Sequence, residues 1–253
     1  SELVEQLTMS GVECETINQK SNEIIKFDIT PNRADCFSVR GITNELLAMG
    51  LIKQSKNESQ SAEVHHDQSV KINISSPKDC PVFATRIINN INSDAKTPQA
   101  IKQKLKESGY KSINIIVDIT NYVMITTGQP LHAYDLDCIN SPIVVRKAKN
   151  KESIELLDGS SKTLNESYLI IADQKKPLGI AGIMGGIDSS ITDQTKCIVI
   201  ESAFFNPKTI MGCPRMLNLH SEASLRFERG VDPTIQIEAI DMFTILLNKI
   251  AGG

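Results

Sequence analysis

Short apolar runs separated by turn residues fill the second half of the chain and limit it to a fold rich in strands. Five such runs occupy residues 142–148, 153–158, 168–173, 178–184 and 196–205. Segments of this kind, rich in valine and isoleucine and bounded by turn residues, are typical of β-strands. The dipeptide Asp158-Gly159 follows the second run and favours a hairpin there.

Helical periodicity lies mainly at the borders of this strand-rich region. Helices are predicted at residues 1–12, 37–49, 97–110 and 233–250. Thr97 and Asp232 are the predicted N-caps of the last two helices, and residues 23–30 are predicted to be a strand. The segment 113–125 is too β-branched for a helix prediction and too long for one strand, so both structures stay open. Together these elements predict the α+β class.

A polar stretch divides the chain into two predicted domains. Residues 56–68 contain hardly an apolar side chain and cannot bury enough surface to order themselves, so we interpret them as a linker. Residues 1–55 then form a small α+β domain, and residues 69–253 form a larger, strand-rich α+β domain. His65 and His66 are adjacent in the linker and lack nearby partners, which argues against a metal site.

Composition argues against several classes of function. A net charge of −3 argues against unspecific adhesion to nucleic acid, and the lysines of residues 102–111 are best interpreted as a solvated helix face. The sequence has no apolar run of about eighteen residues that would span a membrane, and no signal peptide at its start. Six cysteines lie far apart without a CxxC pair, so we expect reduced thiols in a cytoplasmic protein.

Several familiar catalytic motifs are missing from the sequence. The glycines of residues 182–186 lack the Lys-Ser/Thr of a P-loop, so a tight turn is the simpler interpretation and close approach of a ligand is the alternative. Neither a GxSxG nor an HExxH motif is present. Cys138 is near His132 in sequence, but nothing marks its thiol as activated, so a cysteine nucleophile is disfavoured.

Polar side chains beside apolar segments are the candidates for chemistry. His132 lies in the stretch TTGQPLHAYDLD, which reads either as a turn with a spare histidine or as part of a site. Glu201 follows directly on a strand-like run, where a carboxylate is unfavourable unless it is paired or faces a cavity. It is therefore either a structural partner of an arginine such as Arg226 or an acceptor inside a pocket. The residues alone leave both interpretations open.

Five stretches together resemble the beta subunit of bacterial phenylalanyl-tRNA synthetase. They are FDITPNRADCFSVRGITNELLAM, VDITNYVMITTGQPLHAYDLD, GIMGGIDSSITDQT, IESAFFNP and ASLRFERGVDP. The resemblance implies that residues 69–253 are the editing module, which hydrolyses tyrosine wrongly attached to phenylalanine tRNA. Residues 1–55 are then the N-terminal domain that packs beside it. The family's OB-fold insertion for tRNA binding is expected to be missing, because residues 11–30 leave too little room for it.

The resemblance also implies roles for individual residues and partners. His132 and Gly185 fall on catalytic positions of the family. Substrate-binding positions fall on Glu201, Ser221 and Ala223, and Thr120 and Asn121 are expected to line the pocket nearby. Lys111 falls on a position that contacts RNA. No metal or cofactor is expected in this part, whereas the whole synthetase uses ATP and Mg²⁺. The expected partners are the acceptor end of tRNA(Phe), the tyrosine moiety of the mischarged tRNA and the alpha subunit of an alpha2-beta2 assembly. Neither DNA nor a membrane is expected as a partner.

Two departures from the family pattern leave an alternative open. Threonine usually stands at the position of Ser221, and arginine often stands at the position of Lys111. Serine keeps the hydroxyl but loses a methyl group, and lysine does not make the bidentate contacts of arginine. The alternative is a structural, tRNA-positioning module of the synthetase with a vestigial pocket.

Overall fold

Helices and strands are mixed along the chain, which confirms the predicted α+β class. The computed structural model describes residues 2–19, 22–53 and 60–253. Among these residues, no helix is both long enough and apolar enough to cross a membrane. The helices are α1 (Glu2–Met9), α2 (Val39–Ala48), α3 (Gln99–Glu107), α4 (Ile115–Thr127), α5 (Pro207–Ile210), α6 (Cys213–Leu217), α7 (Glu222–Arg229) and α8 (Gln236–Ala251).

All five predicted apolar runs form strands. The strands are β1 (Cys14–Gln19), β2 (Asn22–Phe27), β3 (Ile72–Ile74), β4 (Val82–Ile88), β5 (Leu131–Asp135), β6 (Ile143–Lys147), β7 (Glu152–Glu155), β8 (Ser161–Leu164), β9 (Leu169–Ala172), β10 (Pro177–Ile180), β11 (Met184–Gly185) and β12 (Ile198–Phe204). Strands β4, β12 and β5 form one antiparallel sheet, and β11, β10, β9, β6 and β3 form another, in which β3 and β6 are parallel. The β7–β8 pair is the predicted hairpin, and Gly159 supplies the positive φ of +79° in its turn.

The three-stranded sheet lies at the centre of the larger part of the molecule. Side chains alternate along β12, so Ile198 and Ile200 face one side while Val199 and Ala203 face the other. The first side packs against α4 and α8 in one hydrophobic cluster. The second side packs against residues of the five-stranded sheet in another cluster. Glu201 therefore projects between the two sheets, on the same side as Val199 and Ala203.

The segment that the sequence left undecided is helix α4. It begins after Asn114, whose side chain accepts a hydrogen bond from the amide of Val117, and it ends at Gly128 with a φ of +86°. Packing against α8 and the sheet outweighs the weak helix propensity of its β-branched residues. Asp118 within this helix is fully buried and accepts a hydrogen bond of 2.5 Å from the hydroxyl of Thr97.

Two predicted helix caps are wrong for local reasons. Pro98, and not Thr97, is the cap residue of α3, and the helix has no side-chain capping bond. The hydroxyl of Thr97 donates to Asp118 instead. Helix α8 begins at Gln236, later than predicted, because Asp232 accepts a hydrogen bond from the amide of Thr234 and closes a short turn. In both cases the side chain forms its hydrogen bond with a partner other than the amides at the start of the helix.

A hairpin and two helices make up the N-terminal part. The predicted strand 23–30 is β2, but its partner β1 was not predicted because most of its residues are polar. Helix α2 has Ser38 as its N-cap and contacts α4, and Arg40 forms an ion pair with Glu238 of α8. The N-terminal part therefore packs directly on the strand-rich part, whereas its status as a separate domain of residues 1–55 stays a prediction.

The predicted linker of residues 56–68 lies partly outside the described residues, which resume at residue 60. From there to residue 71 the chain has no helix or strand. The amide of Ala62 donates to Asp241 of α8 at 3.2 Å, and Asn89 donates to Gln68 at 2.7 Å. These bonds attach the described portion to the larger part of the molecule, so it is held along that surface.

Candidate functional site

A cavity of about 80 Å³ opens between β5, β12, the β10–β11 hairpin and helix α7. Its wall includes His132, Tyr134, Gly185, Glu201, Ala223 and Phe227. Strand pairing places Glu201 directly opposite His132, so both side chains lie on the same face of the three-stranded sheet. The fold thus brings together, from four separate segments, His132, Gly185, Glu201 and Ala223, which the sequence singled out.

Glu201 is bound to a tyrosine rather than to an arginine. The Tyr134 hydroxyl donates to Oε2 of Glu201 at 2.5 Å, and both residues are buried. Arg226, the alternative partner suggested by the sequence, donates instead to Glu222 at 2.7 Å within α7. This geometry excludes the Arg226 ion pair and leaves Glu201 as an acceptor in the cavity wall.

Burial controls the protonation of this carboxyl group. Removal from water raises the pKa of Glu201 from 4.5 to about 7, and the hydrogen bond from Tyr134 lowers that pKa and offsets part of the effect. The same burial and the nearby carboxylate raise the pKa of Tyr134 well above its ordinary value, so the phenol stays protonated as the donor. Near neutral pH, Glu201 therefore exists in both protonation states.

His132 is a neutral ring whose buried Nε2 is free. Its ring meets that of Tyr134 edge to face, with 4.4 Å between centroids and 81° between planes. Nε2 is buried and has no hydrogen-bond partner among the described residues. Burial lowers the pKa of His132 to about 4, so the imidazole is uncharged at neutral pH. A neutral imidazole with a free nitrogen can hold a water molecule or a polar ligand atom, but it is a weak base.

Gly185 is required for the position of the histidine. A Cβ at this residue would lie 2.4 Å from Cε1 and 2.6 Å from Nε2 of His132, closer than any side-chain carbon normally approaches. The next amide, that of Gly186, donates to the carbonyl of Leu178 at 2.7 Å. The amide of Gly186 is therefore not a free donor for a ligand.

Helix α7 brings one predicted residue into the cavity and keeps another outside its wall. Ala223 lines the cavity. Ser221 is the N-cap of the helix, where Oγ accepts from the amide of Ser224 at 3.0 Å and donates to the carbonyl of Ile183 at 2.8 Å. The hydroxyl of Ser221 is thus already used to fasten α7 to the turn between β10 and β11.

Comparison with protein families supports a single assignment. The family model described as the B3/4 domain matches residues 79–252. The chain belongs to the B3/4 domain family. This match covers every residue of the cavity wall.

Curated relatives of this B3/4 domain chain are phenylalanine–tRNA ligase beta subunits, which confirms the resemblance read from the sequence. The chain is 48% identical to the subunit of Francisella tularensis over 92% of its own length and 29% of that protein. It is 43% identical to the subunit of Aliivibrio fischeri over its full length and 32% of that protein. The chain thus spans about a third of the length of these relatives.

A solved structure is also similar to this chain. It is an N-terminal fragment of the phenylalanyl-tRNA synthetase beta subunit from Pyrococcus horikoshii, with a TM-score of 0.42 and 16% identity. The match covers 89% of this chain and 68% of that fragment. At this level of similarity it adds no argument about the site.

Three residues that the resemblance assigned to the site lie elsewhere in the B3/4 domain chain. Thr120 and Asn121 belong to α4, which packs on the face of the three-stranded sheet opposite to His132. The Thr120 hydroxyl donates to the carbonyl of Val117 within the helix. Lys111 is exposed in the loop between α3 and α4. An RNA contact by Lys111 stays a prediction, whereas Thr120 and Asn121 can affect the cavity only through the sheet.

Tyr134 is the functional candidate that sequence reasoning missed. It lies two positions after His132 on β5, so side-chain alternation places both residues on the same face. This period of two in the stretch HAYD was the available signal. It went unused because the stretch was read as a turn and not as a strand.

Other potentially reactive groups are occupied or inert. Asp35, Cys36 and Glu45 form the one cluster with metal-ligand spacing among the described residues, with ligand atoms within 4.8 Å of one another. Arg33 donates to both carboxylates, at 2.9 Å to Asp35 and 2.7 Å to Glu45, so this cluster is an ion-pair network. Burial raises the pKa of the Cys138 thiol, which argues further against a cysteine nucleophile.

Proposed function

We propose that this chain is the editing segment of a phenylalanine–tRNA ligase beta subunit and hydrolyses tyrosyl-tRNA(Phe). The observation that carries the proposal is the Tyr134–Glu201 hydrogen bond of 2.5 Å inside the cavity. It demonstrates that the buried carboxylate accepts a phenol hydroxyl in this environment. The tyrosine of a mischarged tRNA presents the same group.

Selection of tyrosine over phenylalanine follows from the burial of Glu201. A pocket that only packs against an apolar ring rejects an added hydroxyl weakly, by on the order of a hundredfold, so an error-correcting second site is useful. A site that hydrogen-bonds the tyrosine hydroxyl distinguishes the two amino acids more strongly, because bound phenylalanine leaves a buried polar group of the site unpaired. Glu201 therefore favours the tyrosyl ester.

The proposed chemistry is hydrolysis of the ester between the tyrosine carboxyl and the terminal ribose. Water adds to the carbonyl carbon, the carbon–oxygen bond to the ribose breaks, and the ribose oxygen takes up a proton. Free tyrosine and uncharged tRNA are the products. The ester is already activated, so holding the water in place supplies much of what is needed. His132, neutral and with Nε2 unpartnered, is the residue that we assign to hold this water.

The same proposal extends to the partners of the complete protein. The acceptor end of tRNA(Phe) delivers the tyrosyl ester, and an alpha subunit completes the cytoplasmic alpha2-beta2 enzyme. The resemblance implies ATP and Mg²⁺ for the ligase reaction of that enzyme, whereas the hydrolysis proposed here is assigned to side chains of this chain and water. The relatives' names support this assignment, since they are ligase beta subunits.

A vestigial pocket with a purely structural role is the less favoured alternative. The cavity contains a buried carboxylate with a raised pKa and a buried imidazole nitrogen without a partner among the described residues. Each of these groups lowers stability, by about 1–3 kcal/mol for an unpaired polar atom. A wall with only a structural role would be more stable with apolar side chains there.

Replacement of Ala223 by tryptophan in the complete ligase tests the proposed function. The larger side chain fills the cavity, so hydrolysis of tyrosyl-tRNA(Phe) should be lost while attachment of phenylalanine to tRNA continues. The matched control is Ile237→Trp, at a site on α8 that is 57% exposed. Hydrolysis at the unsubstituted rate in Ala223→Trp, with the control also active, would contradict the site assignment. Absence of hydrolysis in the unsubstituted ligase would favour the vestigial pocket.

A further inference from the structure

We propose that Tyr134 is a positioning residue that sets the specificity of this site by orienting the acceptor carboxylate of Glu201. The inference rests on the proposed function and adds to it a residue that takes no direct part in hydrolysis. Tyr134 thereby affects the distinction between tyrosine and phenylalanine and not the breaking of the ester bond.

Tyr134 contacts both functional side chains of the cavity. It is 1% exposed, so its ring is fixed by packing between the sheets. Its hydroxyl holds Oε2 of Glu201 at 2.5 Å, and its ring lies edge to face with that of His132 at 4.4 Å between centroids. A single rigid side chain thus holds the carboxylate and the imidazole in a fixed relation.

The bond to Oε2 leaves one oxygen of Glu201 for a ligand. Among residues 2–19, 22–53 and 60–253, Tyr134 is the side chain that donates to this carboxylate, and Oε1 has no donor. A carboxylate oxygen accepts hydrogen bonds from more than one donor, so a substrate phenol can bind Oε1 while Tyr134 stays in place. The Tyr134 phenol therefore fixes the direction in which the second oxygen points.

The same hydrogen bond favours the ionised form of Glu201. The titratable groups that face Glu201 are Tyr134 and His132 on β5 and the Cys80 thiol near β4. Tyr134 is the group that lowers the pKa of Glu201, against the effect of burial. His132 is neutral near pH 7 and supplies no positive charge beside Glu201. The Cys80 thiol is also uncharged, because burial and the Glu201 charge raise its pKa.

Removal of this hydroxyl alone should weaken selection without emptying the cavity. Tyr134→Phe keeps the ring but leaves Glu201 without its donor, so the pKa of Glu201 rises above about 7. A smaller fraction of the carboxyl is then ionised at pH 7, and its direction is no longer fixed. We expect the tyrosyl-over-phenylalanyl ratio of kcat/KM to fall at least about tenfold, the lower end of the range for a lost hydrogen bond to a charged group. The loss should appear mainly in KM for the tyrosyl ester.

The experiment measures hydrolysis of tyrosyl-tRNA(Phe) and phenylalanyl-tRNA(Phe) by the complete ligase between pH 6 and pH 9. In the unsubstituted enzyme, the ratio should increase as the pH rises through about 7, where Glu201 ionises. In Tyr134→Phe, this midpoint should move to higher pH, and part of the loss should remain at high pH, where the carboxylate is ionised but no longer oriented. Tyr168→Phe is the matched control, since Tyr168 is buried in the same core and is not part of the cavity wall.

A double substitution separates positioning from general disturbance of the fold. In Glu201→Gln the pH dependence near 7 should disappear, and addition of Tyr134→Phe should cause no further tenfold loss. A midpoint and ratio unchanged in Tyr134→Phe would overturn this inference while leaving the proposed function intact. Equal losses for both esters at all pH values, with kcat reduced, would also overturn it. If the unsubstituted ligase hydrolyses neither ester, the proposed function itself fails.

Discussion

Replacement of Glu201 by glutamine should stabilise the protein, and increasingly so as the pH rises. Glutamine has nearly the same shape, remains uncharged, and can still accept the hydrogen bond from Tyr134. The charged form of Glu201 is disfavoured by burial, which raises its pKa from 4.5 to about 7. The substitution removes this unfavourable charge, so its effect depends on how far the wild-type carboxyl is ionised.

The size of the effect follows from proton linkage. A group whose pKa is raised by folding contributes its full stability below its unfolded pKa and loses that contribution as the pH rises through the folded pKa. For Glu201 this window runs from 4.5 to about 7. At about 1.4 kcal/mol for each pKa unit, ionisation lowers the free energy of unfolding by about 1 kcal/mol at pH 5.5 and about 3 kcal/mol at pH 8. The advantage of glutamine should therefore be about 2 kcal/mol larger at pH 8.

Urea unfolding followed by far-UV circular dichroism measures this difference, because the chain has no tryptophan for fluorescence. His132 titrates in both proteins, so its contribution largely cancels in the comparison. Glu155→Gln is the control, since Glu155 is exposed on β7 and its substitution should change stability by less than about 0.5 kcal/mol at either pH. An advantage of glutamine at Glu201 that is the same at both pH values would refute the raised pKa and the reasoning built on it.

Two further substitutions test the geometry around the cavity and the support of helix α4. Gly185→Ala places a methyl group 2.4 Å from the His132 ring, so the ring must shift. The hydrolysis rate should fall at least about tenfold, and the free energy of unfolding should fall by about 1–3 kcal/mol. An unchanged rate in the deacylation assay would contradict the assigned role of His132. Asp118→Ala removes a buried acceptor of three hydrogen bonds, from Thr97, Ser112 and the amide of Ile113. It should lower the free energy of unfolding by about 3 kcal/mol in urea, and a loss below about 0.5 kcal/mol would show that water replaces the carboxylate.

The fold was predictable wherever a local pattern agreed with the packing around it. The five β-rich runs became strands because valine and isoleucine fit both a strand and the space between two sheets. Helix α4 was not predictable by propensity, because its β-branched residues are tolerated only through contact with α8 and the sheet. The predicted caps at Thr97 and Asp232 are wrong for a related reason. Thr97 donates to the distant Asp118, and Asp232 accepts from the nearby amide of Thr234, so neither side chain caps its helix.

Prediction of the site was limited by information that only the tertiary structure holds. Sequence resemblance placed Glu201 and His132 in one pocket, and the strand register brings them opposite each other. It placed Thr120 and Asn121 there as well, although α4 lies behind the sheet. The sequence alone did not decide between a tyrosine and an arginine as the partner of Glu201, because the choice depends on the register in which β5 pairs with β12.

Two unfavourable groups of the strand-rich core lie opposite each other in the cavity wall, and this links stability to function. Glu201 is a carboxylate with a raised pKa, and His132 has an unpartnered buried nitrogen among the described residues. Elsewhere the same core is packed with isoleucine, leucine and valine. Substitutions that replace these groups by uncharged or apolar side chains should raise the stability of the protein and lower its selection of tyrosine. This trade-off is typical of sites that keep buried polar groups to bind a ligand. If Glu201→Gln stabilised the protein and left selection unchanged, the cavity would be a packing defect and not a specificity site.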